Sequence, residues 1–139
     1  MKNPIVVLGL LLGGLLLCNC HPQKKVVTNE NPVGRSFDIV SMPGADSFTG
    51  GKPFLQFGAA GQLGGNTGCN GFFGEYKLQG NNLTLNIQGA TKMYCMEVNE
   101  EGFFELMQKV ESFTLAGGNM KLFGQGKELA ILRERVEQK

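Results

Sequence analysis

Phe72-Phe73-Gly74-Glu75-Tyr76-Lys77-Leu78, then Gln79-Gly80-Asn81-Asn82, then Leu83-Thr84-Leu85-Asn86-Ile87, is the stretch on which the fold turns. In the first segment Phe72, Tyr76 and Leu78 fall on one face of an extended chain, with Glu75 and Lys77 on the other. Leu83, Leu85 and Ile87 repeat the alternation in the last segment. A period of two marks a strand with one buried face. The connector supplies Gly and Asn, which tolerate the positive φ of a tight turn between antiparallel strands. The stretch therefore reads as a β-hairpin.

The same grammar continues on both sides. Toward the C-terminus, Ser112–Leu115, Met120–Phe123 and Glu128–Arg133 are separated by Ala116-Gly117-Gly118-Asn119 and Gly124-Gln125-Gly126-Lys127, the pattern of a three-stranded meander. Upstream, Ser36–Met42 and Pro53–Phe57 are further strand candidates. One segment breaks the pattern: between Asn99 and Val110, Phe103, Leu106, Met107 and Val110 recur at helical spacing and leave one apolar face. Asn99 is placed to cap that helix, Glu100 and Glu101 sit in its first turn, and Glu105 lies one turn before Lys109. Gly102 costs about 1 kcal/mol relative to Ala there, so packing against the sheet must hold the helix. The expected class is mainly β or α+β: a curved antiparallel sheet or small barrel of about seven strands, covered by one helix at 99–110.

Composition bounds what such a domain does. The chain has 139 residues, 21 of them Gly, with one His and no Trp; thirteen Lys and Arg face twelve Asp and Glu. Charge balance removes long-range attraction to nucleic acid as a driving force, so no nucleic-acid partner is expected. The single His, His21, cannot serve as a folded general base, so no Ser/His/Asp triad is available.

The N-terminus reads as an address. Lys2 precedes an apolar run, Ile5 to Leu17, that is short for a bilayer span and has the form of a secretion signal. It ends in Leu17-Cys18-Asn19-Cys20, which resembles the bacterial lipoprotein cleavage box. Cys20 is the better lipid acceptor, because cleavage at Cys18 would set bulky Leu17 beside the scissile bond. The plainer alternative is an ordinary signal with incidental cysteines. These readings divide the chain into a signal at 1–19, a tether at 20–32 without apolar periodicity, and one folded domain at 33–136. An acylated Cys20 would tether that domain to a membrane of the bacterial envelope, at its periplasmic face or the cell surface.

With Cys18 removed and Cys20 acylated, Cys69 and Cys95 remain as an even pair in an oxidising compartment, which favours a disulfide. Closing a loop of that length contributes about 3–4 kcal/mol in the chain-entropy model. A buried thiol pair and a redox or metal-binding pair are the competing readings; no Cys-x-x-Cys and no neighbouring His supports the last. The first cysteine lies in Gly65-Asn66-Thr67-Gly68-Cys69-Asn70-Gly71-Phe72-Phe73-Gly74-Glu75-Tyr76, and the second in Thr91-Lys92-Met93-Tyr94-Cys95. These resemble the G-x-T-G-C-N-x-F-x-G-x-Y and T-x-M-x-C signatures of the META domain (HslJ-like) family. Glu100, Phe103, Met107, Val110 and Phe113 fall in register with that family's helix-to-strand pattern. Phe37 stands where the family usually has Trp, Met107 for Leu and Phe113 for Tyr, each keeping an apolar group. The resemblance implies a small antiparallel β domain with one helix, the two signature cysteines paired, and no established enzymatic activity. It also brings loose associations with heat shock, drug tolerance and virulence.

Two readings of the signature follow. Short polar side chains among glycines can hydrogen-bond the main chain and fix a bend, or Asn66, Thr67, Asn70 and Thr91 can line a binding site. Other constellations fare worse. Gly58 to Gly64 lacks a phosphate-loop core, Glu97, Glu101 and Glu105 read as a solvated helix face, and Asp38 and Asp46 form no evident carboxylate pair. Asn82-Leu83-Thr84 fits a glycosylation sequon but sits at the expected turn. The expected function is that of a non-enzymatic envelope lipoprotein, without cofactor or metal, which binds another envelope protein or supports envelope integrity under stress. The alternative is a carrier or sensor of a small apolar ligand or lipid, flanked by Phe54, Phe57, Phe72, Phe73, Phe103 and Phe104.

Overall fold

The structure is a computed structural model that describes residues 29–43, 51–96 and 98–136. Cys18, Cys20, His21, Asp46, Glu97, the signal and most of the tether lie outside the described residues. Among the described residues, eight strands and one helix follow in order: β1 (Ser36–Ser41), β2 (Phe54–Phe57), β3 (Gln62–Asn66), β4 (Gly71–Gln79), β5 (Asn82–Ala90), α1 (Glu100–Gln108), β6 (Ser112–Ala116), β7 (Asn119–Gly124) and β8 (Lys127–Glu134). Each strand pairs antiparallel with the next, and β8 returns to β1, so the sheet closes into a barrel.

The expected hairpin is present as β4 and β5, with Gln79 opposite Asn82. The strand missing from the sequence reading is β3. Its Gln62-Leu63-Gly64-Gly65-Asn66 carries a single apolar side chain, Leu63, and so shows no period. Alternation sends Phe37, Ile39, Leu55, Phe57, Leu63, Phe72, Tyr76, Leu83, Leu85, Phe113, Leu115, Met120, Leu122 and Leu132 into one core. That interior is filled by rings and branched chains in contact, with Phe57 set edge-on against both Phe37 and Tyr76. At Gly74 the register slips against β5, and a β-carbon there would lie 2.0 Å from the Asn86 carbonyl oxygen, so the two strands approach closely only because the side chain is absent.

Closure is uneven around the ring. β5 and β6 share a single register pair, Asn82 with Ser112, so the rest of β5 has no strand neighbour on that side among the described residues. The helix occupies the lower part of this gap. Phe103, Leu106 and Met107 are its buried face, and Phe103 and Phe104 lean on Phe72. Asn99 caps the helix by accepting from the Gly102 N–H, and Glu100 and Glu101 occupy the first turn as expected. The regular helix stops at Gln108, with Lys109 as C-cap; Val110, assigned to the helix from its spacing, is buried just beyond it.

Candidate functional site

The link between β3 and β4 is a tight bend built by its own side chains. The Asn66 carboxamide oxygen accepts from the Gly68 N–H at 2.8 Å, and the Thr67 hydroxyl oxygen accepts from the N–H groups of Cys69 at 3.2 Å and Asn70 at 2.9 Å. The backbone closes with Thr67 N–H donating to the Asn70 carbonyl at 2.9 Å. Gly68 takes φ +98°, a conformation that a side chain would strain. Local hydrogen bonds of this kind are what Asn and Thr offer to a chain leaving a strand.

Asn70 turns the bend into a joint. Its side chain is fully buried and fully engaged. The amide nitrogen donates to the Met93 carbonyl at 2.9 Å and to Glu100 Oε2 at 2.8 Å. The amide oxygen accepts from the Thr91 hydroxyl and from the Met93 N–H, each at 2.7 Å. Glu100 Oε1 in turn accepts from the Thr67 hydroxyl at 2.5 Å. One carboxylate at the first position of α1 therefore grips both buried polar residues of the bend while lying at the positive end of the helix. The disulfide between Cys69 and Cys95, with α-carbons 6.0 Å apart, ties the same two segments covalently.

Asn66, Thr67, Asn70 and Thr91 thus come together, and their polar atoms are directed at one another and at the main chain. The arrangement fits the fixed-bend reading. The sequence reading missed the part played by Glu100, which it treated as a helix-dipole residue; its place in the helix signature was the available signal. Having spent its hydrogen-bonding groups internally, the joint braces what stands next to it. Between Thr91 and Met96 the chain is pinned at the Met93 backbone and at Cys95, yet the side chains of Met93, Tyr94 and Met96 are 61%, 90% and 75% exposed. Beside them lies an open hollow of about 450 Å³, lined by Ala90, Lys92, Met93, Tyr94, Glu100 and Phe104.

The remaining candidates disperse. Glu101 and Glu105 face solvent on α1. Asp38 is paired with Arg135, whose guanidinium lies 3.8 Å from the Phe54 ring centroid. Phe57 and Phe103 are core residues, whereas Phe73 points outward from β4, so the six phenylalanines do not enclose one chamber. Gly58 to Gly64 runs into β3 and carries a structural contact: the Tyr76 hydroxyl donates to the Gly58 carbonyl at 2.6 Å. Burial raises the Tyr76 phenol above its ordinary value of 10.0. Among the described residues, no helix is long and apolar enough to cross a membrane.

Comparisons with known proteins agree with this fold. The family model described as META domain matches residues 30–136. An NMR structure of a protein from Burkholderia xenovorans is 19% identical, covers 84% of this chain and 98% of its own, and superimposes with a TM-score of 0.61. The crystal structure of a duf4847 family protein from Bacteroides vulgatus ATCC 8482 is 12% identical, with coverage of 76% and 95% and a TM-score of 0.57. At these identities the two share the fold alone. No curated protein matches the chain.

Proposed function

Because this chain belongs to the META domain family, we propose that it is a non-enzymatic lipoprotein of the bacterial envelope that presents the braced pole of its barrel to another envelope protein. The observation that carries the reading is the exposure of Met93, Tyr94 and Met96 on a segment whose backbone is held by Asn70 and by the disulfide. Large apolar side chains in water are costly to leave uncovered and mark interaction surfaces. Met and aromatic residues are among the side chains enriched at protein interfaces, and a rigid base lowers the ordering cost of binding. The adjoining hollow is lined by Ala90, Met93, Tyr94 and Phe104 together with the polar residues Thr91, Lys92 and Glu100, and is sized for a few side chains of a partner. The leader, with Cys20 as lipid acceptor, supplies the envelope location and the membrane attachment.

Photo-cross-linking from position 94 in intact envelopes tests the surface. A discrete adduct is expected, and it should vanish when Met93 and Met96 are both replaced by Ser while the β4–β5 hairpin remains protected from hydrogen exchange. Absence of any adduct, or adducts unchanged in the double variant, counts against the reading. Labelling with a palmitate analogue should mark the wild-type protein and not Cys20→Ser.

A further inference from the structure

The upper part of the gap between β5 and β6 is closed by a different device. Above Ser112 the outer edge of β6 meets no strand among the described residues, and Asn29 and Glu30 stand in for one. Asn29 donates its side-chain amide to the Phe113 carbonyl at 2.9 Å and accepts from the Leu115 N–H at 3.0 Å. The Glu30 N–H donates to the Leu115 carbonyl at 3.0 Å, and the Glu30 carboxylate accepts from the Gly117 N–H at 2.6 Å. Arg35 then bridges Glu30 on one side and Glu134 of β8 on the other. Beyond Asn31 the character of the chain changes: Pro32 is buried and Val33 packs against the core.

From this arrangement we infer that Asn29 and Glu30 form a releasable latch, hinged at Asn31, that seals the β6 edge independently of the rest of the barrel. The latch holds by two polar side chains and one backbone N–H, and solvent can replace each of those bonds. Its opening removes no apolar side chain from the core, because Pro32 and Val33 stay seated. Local opening of this kind is less costly than global unfolding and exposes a stretch of β6 that has no strand partner among the described residues. The inference rests on the geometry of the seam and not on the proposed partner surface.

Amide hydrogen exchange on the full chain reads the latch residue by residue. In Asn29→Ala/Glu30→Ala, the amides of Leu115 and Gly117 should exchange about tenfold faster, the scale of one lost hydrogen bond. Phe113 should be unchanged, since its N–H is held on the same edge by the Asn81 carbonyl. Glu30→Gln, a milder change that keeps an acceptor, should accelerate Gly117 alone and by less. Equal acceleration of all three amides in either variant would show that the seam opens only with the barrel. No acceleration at Leu115 and Gly117 would show that the latch does not hold the edge. Either result overturns the inference.

Discussion

The two poles of this barrel are closed by opposite means. At the lower pole, the β3–β4 bend, the segment after β5 and the start of α1 meet around a buried carboxamide, a carboxylate and a disulfide. At the upper pole, the seam is covered by two residues with exposed or half-exposed side chains, and a half-buried arginine between two glutamates. The difference lies in solvent. A polar group buried without water costs its full desolvation once a partner is removed, whereas a group at the surface finds water instead. The lower pole should behave as part of the global folding unit and the upper as a local element.

Removing the hub should have the largest effect. Asn70→Ala strips buried partners from Thr91, from the Met93 backbone and from Glu100, and is expected to destabilise by about 3 kcal/mol or more in urea unfolding. A loss under about 1 kcal/mol would place Asn70 outside the folding unit. Cys69→Ser/Cys95→Ser should cost about 2–4 kcal/mol, with the barrel still formed because the hydrogen bonds around Asn70 join the same segments. Chemical denaturation of the double variant beside the oxidised wild type, followed by circular dichroism, checks both halves of that statement.

Acid should act on the upper pole first. The Gly117 N–H and Arg35 hold the Glu30 carboxyl below its ordinary value of 4.5, and the hydrogen bond from Arg35 does the same for Glu134. Groups lowered on folding add stability that is complete above the unfolded value and drains away as pH falls through the folded one. Both carboxylates are solvent-exposed enough to be screened, so the loss below about pH 4.5 should be a small fraction of that caused by Asn70→Ala. Exchange at Gly117 should quicken over that range, after correction for the intrinsic pH dependence, while Phe113 holds. Smallest of all, Gln125 takes φ +52° without being glycine, so Gln125→Gly should be neutral or stabilise by up to about 1 kcal/mol in thermal unfolding.

The poles also differ in how far they could be read from the chain. Phe103, Leu106, Met107 and Val110 announced the helix because an apolar face repeats at a fixed interval, and Phe72 to Ile87 announced the hairpin for the same reason. Cys69 and Cys95 announced the brace by arithmetic, and the two signatures gave the family. What stayed hidden depends on side chains that act as backbone. β3 has one apolar residue to show, and Asn29 and Glu30 fall within a polar stretch assigned to the tether, yet they pair with β6 as a strand would. Glu100 was visible as a helix-start acid, but its reach across to Thr67 and Asn70 follows only from the closure of the barrel. Periodicity reports burial, and none of these contacts is periodic.

A double-mutant cycle between Asn70 and Glu100, measured by urea unfolding of the single and double alanine variants, tests the buried joint most directly. The side chains meet at 2.8 Å with Asn70 fully buried, and a coupling of about 1–3 kcal/mol is predicted. Losses that simply add, to within about 0.5 kcal/mol, would contradict the joint as the element that locks helix, bend and loop together.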